Sequence, residues 1–196
     1  MYEPKLILTS QGLTTKEGRK SIKSHLDETD IMDKKILLIY EPYFSVEKIL
    51  IDSCKWIGFL EENIYLYNDR LAKDLILDMD YFYVTEGNTF KIFECMKRGN
   101  LVELIREAYS KEASYIGASA GSIIAGADIG IAKEFDEYYG ENTNFEGLRL
   151  VDVIIIPHVS KEEANEKLSS NTLEYLDKSM KNVIFIEDNT SLIIYK

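Results

Sequence analysis

The chain has 196 residues, 45% of them hydrophobic and 29% charged, proportions of a globular protein with a sizeable core that exclude fibrous, linker-rich and disordered classes. Lys and Arg total 23 against 34 Asp and Glu, a formal charge of -11, and so acidic a surface disfavours nucleic acid and anionic membrane as partners. Two cysteines, with no C-x-x-C pair and no Cys/His cluster, argue against a disulfide framework and a metal site.

From the N-terminus, Met1-Tyr2-Glu3-Pro4-Lys5 leads into the apolar strand Leu6-Ile7-Leu8 without a basic, cleavable leader. A polar helix is predicted over 15–26 and a second strand over 36–40, ending at Pro42. Next comes a helix with Ser45 as N-cap, in which Val46, Ile49, Leu50, Cys54, Ile57 and Leu60 recur at helical spacing. A strand at 64–67 is followed by one at 81–84, which ends in Thr85-Glu86-Gly87-Asn88. Helices then cover 89–98 and 101–111, separated by Gly99-Asn100, and a short buried strand at 114–118 runs into a helix starting near Ser119.

The acidic, aromatic stretch 128–147 reads as a long loop or hairpin. Residues 151–156 form the most apolar strand and stop at Pro157; 161–180 reads as one charged helix. The strands 183–186 and 192–195 close the chain as a hairpin around Glu187-Asp188-Asn189-Thr190. Cys54 and Cys95 both fall in predicted helices, where reduced, buried thiols are expected. No apolar run is long enough to cross a bilayer, and the chain reads as cytoplasmic. Strands alternating with helices imply an α/β fold, a mostly parallel sheet with helices on both faces, and residues 1–196 read as a single domain.

The most informative stretch is Tyr115-Ile116-Gly117-Ala118-Ser119-Ala120-Gly121-Ser122. It places G-x-S-x-G between a predicted strand and a predicted helix, the setting that pushes a serine out at the carboxyl edge of a sheet on a strained turn. The residues two places away on either side approach each other there, so Gly117 and Gly121 must be small. The following helix contributes free N–H groups and a positive end, and the amide of Ala120 is a candidate oxyanion donor. The turn at Gly87 also ends a strand and opens a helix, so Gly87 is the second candidate donor, with Asn88 or Thr89 as helix cap.

A serine nucleophile needs a base. Of the two histidines, His25 lies in a charged helix and is expected to face solvent. His158 follows Pro157 at the carboxyl end of the most apolar strand, the edge at which Ser119 also emerges. The third member should be a carboxylate that orients the imidazole. Glu187 and Asp188 end the next strand and leave it pointing in opposite directions, so only one can face His158; Glu134 and Asp136 are the other options. In an α/β-hydrolase the histidine comes last. An acid after His158 argues against that fold despite the shared elbow.

The strand Leu6-Ile7-Leu8-Thr9-Ser10, the turn Gly87-Asn88-Thr89-Phe90, the elbow Gly117-Ala118-Ser119-Ala120-Gly121 and the run Gly147-Leu148-Arg149-Leu150-Val151 leading to Pro157-His158 together resemble one family of serine peptidases. It is peptidase family S51, typified by peptidase E, an aspartyl dipeptidase, and including cyanophycinase. The resemblance implies a fold similar to class I glutamine amidotransferases (flavodoxin-like), a Ser-His-acid triad, and no metal or organic cofactor. The family's acid is a glutamate directly before Gly or Asn; Asp188 holds that position here, with Glu187 one place earlier as the alternative. Thr85-Glu86 stand where the family's oxyanion turn carries glycines. The stretch 159–167 lacks the arginine that peptidase E has after its histidine, so selectivity for an N-terminal aspartate is not implied.

The expected function is hydrolysis of small peptides through an acyl-enzyme, with Ser119, His158 and Asp188 (or Glu187) as triad and Gly87 and Ala120 as oxyanion donors. The alternative is a non-catalytic amidotransferase-like domain that binds a small molecule or partner. The oligomeric state is not legible in the sequence.

Overall fold

The computed structural model describes residues 4–26, 28–41, 45–140 and 144–195; the N-terminal Met1-Tyr2-Glu3 and Pro42, the expected stop of the second strand, lie outside them. Six strands form one sheet: β1 (Pro4–Thr9), β2 (Ile36–Ile39), β3 (Ile64–Leu66), β4 (Tyr81–Val84), β5 (Ser114–Ala118) and, last in the chain, β8 (Ser191–Tyr195). Their order is β3-β2-β4-β5-β1-β8, and only β8 runs antiparallel to its neighbour. A separate pair, β6 (Ile154–Pro157) and β7 (Val183–Ile186), is parallel. The helices are α1 (Lys16–Lys23), α2 (Glu28–Ile31), α3 (Glu47–Ile57), α4 (Lys73–Leu77), α5 (Thr89–Arg98), α6 (Leu101–Ser110), α7 (Ala120–Ala125), α8 (Ala164–Lys167) and α9 (Ser170–Ser179).

The β2 and β4 runs are apolar without interruption, and β5 is buried along its length, because each strand is covered on both faces. Alternate side chains divide between two cores. Leu6, Leu8, Leu37, Ile39, Phe82, Val84 and Tyr115 pack with α5, α6, α7 and the β6–β7 pair, whereas Ile7, Ile36, Leu38, Tyr81, Tyr83 and Ile116 pack with α1 and α3. Each fully buried large side chain contributes about 1.5–3 kcal/mol. The expected sheet with helices on both faces is thus present. Among the described residues no helix is long and apolar enough to cross a membrane.

Four expectations need correction. The last two strands are not a hairpin: β7 pairs with β6, and β8 crosses to the edge of the large sheet beside β1. The charged segment 161–180 is two helices, because Leu168 is extended and Ser169 caps α9 by accepting from the Thr172 amide. Helix α3 starts one residue late, with Val46 as an N-cap that makes no side-chain bond, and Ile49 lies on its exposed face. Cys54 is buried, its thiol pushed up to about 12 by burial, but Cys95 is only half-buried. Both are free thiols.

The candidate active site

Three strand ends build the site. β5 is buried along its whole length and delivers Ser119 at φ 49°, ψ -106°, immediately before α7. An L-residue holds such a backbone only where its surroundings over-determine it. The Ser119 amide donates to the carbonyl of Thr9 at 2.9 Å. A Cβ on Gly117 would come 2.6 Å from the Gly121 carbonyl oxygen, and one on Gly121 would come 2.1 Å from that of Val84. The two glycines are therefore required by contact.

His158 follows β6 with φ 66°. Its Nε2 lies 2.9 Å from Oγ of Ser119, and its Nδ1 lies 2.7 Å from Oδ1 of Asp188. A carboxylate only accepts, so the network assigns the ring proton to Nδ1 and leaves Nε2 to accept from the serine hydroxyl. The register of β6 with β7 pairs Pro157 with Ile186, which brings His158 and Glu187-Asp188 to the same end of the small sheet. The side chains of His158 and Asp188 are 40% and 50% exposed, so the relay is open to solvent.

The other candidate acids go elsewhere. The Glu187 carbonyl accepts from the Thr190 amide and hydroxyl, and its exposed carboxylate bonds to none of the described residues. Glu134 accepts from the Ser169 amide and from the Ser169 and Thr172 hydroxyls at the N-terminus of α9. Asp136 accepts from the Thr89 amide at the N-terminus of α5, 2.8 Å away. Both carboxylates thus satisfy helix N-termini, where free N–H groups and the helix dipole favour negative charge.

The second turn is held from three sides. Gly87 adopts φ 139°, and Asn88 caps α5 by accepting from the Lys91 amide. Glu41, buried, accepts from the Asn88 amide at 2.9 Å and from Lys91 Nζ at 2.9 Å. Glu86 bonds back to the Thr14 and Tyr83 hydroxyls. The amides of Gly87 and Ala120 donate to no group among the described residues.

A match to the profile of peptidase family S51 covers residues 6–196. The chain belongs to peptidase family S51. An uncharacterized peptidase of Listeria monocytogenes is 31% identical over 127 residues, 63% of this chain and 62% of its own length. Peptidase E of Haemophilus influenzae is 28% identical over 126 residues, 62% of this chain and 53% of its own length. Peptidase E of a Nostoc species is 33% identical over 150 residues, 72% and 57%. The matched region thus spans less than two thirds of each of these relatives.

Two solved structures share the S51 member's fold. A candidate peptidase E of Listeria monocytogenes EGD-e superposes with a TM-score of 0.73 at 20% identity, covering 100% of this chain and 95% of that one. A peptidase from an acI-B1 Actinobacterium gives 0.69 at 15% identity, covering 96% and 82%. The fold is the expected α/β arrangement of the class I glutamine amidotransferase type.

Several supports of this S51 site escape a reading by motif. Ser122, fully buried, lies with its hydroxyl 2.7 Å from the Thr9 carbonyl and 2.9 Å from that of Gly117, and accepts from the Thr9 amide. It ties the elbow to β1. Ser10 and Glu41 likewise hold backbone groups at the sheet's carboxyl edge, and a polar residue within two places of the end of an apolar strand was the available signal. His25, expected to face solvent, is half-buried against the start of β8, with Nε2 3.3 Å from the Ser191 hydroxyl. Burial lowers its pKa.

Proposed function

We propose that this S51 member is a serine peptidase that hydrolyses short peptides through an acyl-enzyme. The observation that carries this reading is the unbroken hydrogen-bonded series from Ser119 Oγ through His158 to Asp188. His158 Nε2 takes the Ser119 proton as Oγ attacks the scissile carbonyl, and the same proton passes to the leaving amine as the C–N bond breaks. Water then attacks the acyl-enzyme by the reverse of those transfers. Asp188 keeps the ring in the Nδ1-protonated form and stabilises the imidazolium.

The oxyanion donors in this reading are the amides of Ala120 and Gly87. Gly87 lies in the turn between β4 and α5, Ala120 opens α7 after β5, and neither amide is used by the described residues. One such preorganised donor stabilises the transition state by about 3 kcal/mol. The loop 128–140 reaches α5 through Asp136 to the Thr89 amide and the Glu137 carbonyl to the Asn88 side chain. It therefore borders the Gly87 turn, which supports a restricted entrance and small peptides as substrates. Two free thiols are consistent with a reducing, cytoplasmic setting.

Incubation with di- and tripeptide libraries, read by released amine, tests the proposal. Turnover by the wild type and none by Ser119→Ala is the expected result. A folded wild type that cleaves no member would favour a non-catalytic binding domain.

A further inference from the structure

We propose that Ser10, a residue outside the triad, is the positioning residue that sets the base and the acid at the distance Ser119 requires; this rests on the serine-peptidase reading above. Ser10 directly follows β1 and is 1% exposed. A hydroxyl has one proton and two acceptor sites. The Ser10 proton goes to the Ile186 carbonyl at 2.5 Å, and its oxygen accepts from the His158 amide at 2.9 Å.

Those two partners are the ends of β6 and β7. Ile186 lies two residues before Asp188, and its register partner Pro157 lies directly before His158. One hydroxyl at the edge of the six-stranded sheet thus grips both strands of the small sheet at the ends that carry base and acid. Its neighbour Thr9 accepts the Ser119 amide through its carbonyl. Two consecutive residues after and at the end of β1 therefore hold all three members, the nucleophile through one and the histidine and acid through the other.

The His158 backbone makes the role specific. At φ 66° it occupies a region that L-residues enter only when their surroundings impose it. Its amide bond to Ser10 is a constraint applied at that residue. Without the hydroxyl, a part-buried N–H and a buried C=O lose their partner. The strand ends are then free to part, and a displacement of about 1 Å at a reacting group slows chemistry by about 100-fold.

Ser10→Ala tests this by two measurements, the rate at which a fluorophosphonate phosphonylates Ser119 with loss of fluoride and the low-field NMR resonance of the proton between His158 and Asp188. The wild type is expected to be phosphonylated and to show the resonance. Ser10→Ala, with an unchanged circular dichroism spectrum, is expected to be phosphonylated about 10- to 100-fold more slowly and to lose or shift the resonance. Phosphonylation at the wild-type rate, or slower phosphonylation with an unmoved resonance, overturns the proposal, since a purely structural role leaves the His158–Asp188 contact intact in the folded molecule. Should Ser10→Ala not fold, Ser10→Cys carries the same two readouts with a weaker donor and acceptor. If the wild type is not phosphonylated, the peptidase reading fails, yet the resonance still decides whether Ser10 positions His158 against Asp188.

Discussion

His158 Nε2 lies 2.9 Å from Ser119 Oγ although 39 residues separate them, and both residues carry a positive φ, 66° and 49°. Asn189, next to Asp188, has φ 66° as well. Each member of the proposed triad thus sits at or beside a backbone conformation that costs about 1–3 kcal/mol to hold. Strain collected at three converging strand ends is what a site selected for geometry over stability looks like.

Ser119→Gly separates those two quantities. Glycine tolerates φ 49° but adds disorder to the unfolded chain, so the net expectation is a gain of about 1 kcal/mol, with hydrolysis abolished. Ser119→Ala keeps the Cβ and should change stability by less than about 0.5 kcal/mol. Urea unfolding of the three proteins checks this. A destabilised Ser119→Gly would contradict the strain.

The choice of acid is tested by a pair of substitutions. Asp188→Asn keeps the shape but removes the charge that fixes the Nδ1-protonated ring, and kcat should fall about 10³- to 10⁴-fold. Glu187→Gln should stay close to wild type, because that exposed carboxylate bonds to none of the described residues. Equal losses in both would point to a shared electrostatic effect instead.

Gly121→Ala forces a Cβ to within 2.1 Å of the Val84 carbonyl oxygen, a backbone atom that cannot rotate away. A loss of about 3 kcal/mol is expected, read as a lower unfolding midpoint, together with a slower reaction because the Ser119 turn must shift. A variant as stable as the wild type would show the elbow to be looser than its contacts imply.

Glu134 gives a pH dependence. Burial raises its pKa, but hydrogen bonds from the Ser169 and Thr172 hydroxyls and the Ser169 amide outweigh that and lower it. A carboxylate whose folded pKa is depressed stabilises the fold at pH above its unfolded value, and that contribution is lost as pH falls through the folded value. Wild type should therefore lose more stability than Glu134→Gln between pH 7 and about pH 3.5, below the ordinary glutamate range. Parallel curves would remove Glu134 from the acid response.

Much of this was legible in the sequence because local sterics wrote it there. Gly117 and Gly121 flank Ser119 since their backbones touch, and His158 ends a strand whose apolarity is visible at once. Strand geometry alone did not separate Asp188 from Glu187, because adjacent residues leaving a strand diverge; the family resemblance favoured Asp188, and it is Asp188 whose Oδ1 lies 2.7 Å from His158 Nδ1. The hairpin was misread for a related reason. Strand pairing is non-local, and β8 gains a parallel-sheet edge beside β1 that no neighbouring residue announces. Glu134 and Asp136 looked like triad acids from their position after the nucleophile helix, yet each satisfies the N-terminus of a helix far along the chain.

Intact-protein mass spectrometry after exposure to a fluorophosphonate tests the Ser119–His158 pairing most directly. The folded wild type should gain one adduct, mapped to Ser119, and neither Ser119→Ala nor His158→Ala should gain it. An unmodified wild type, or an adduct that survives Ser119→Ala, would contradict the account.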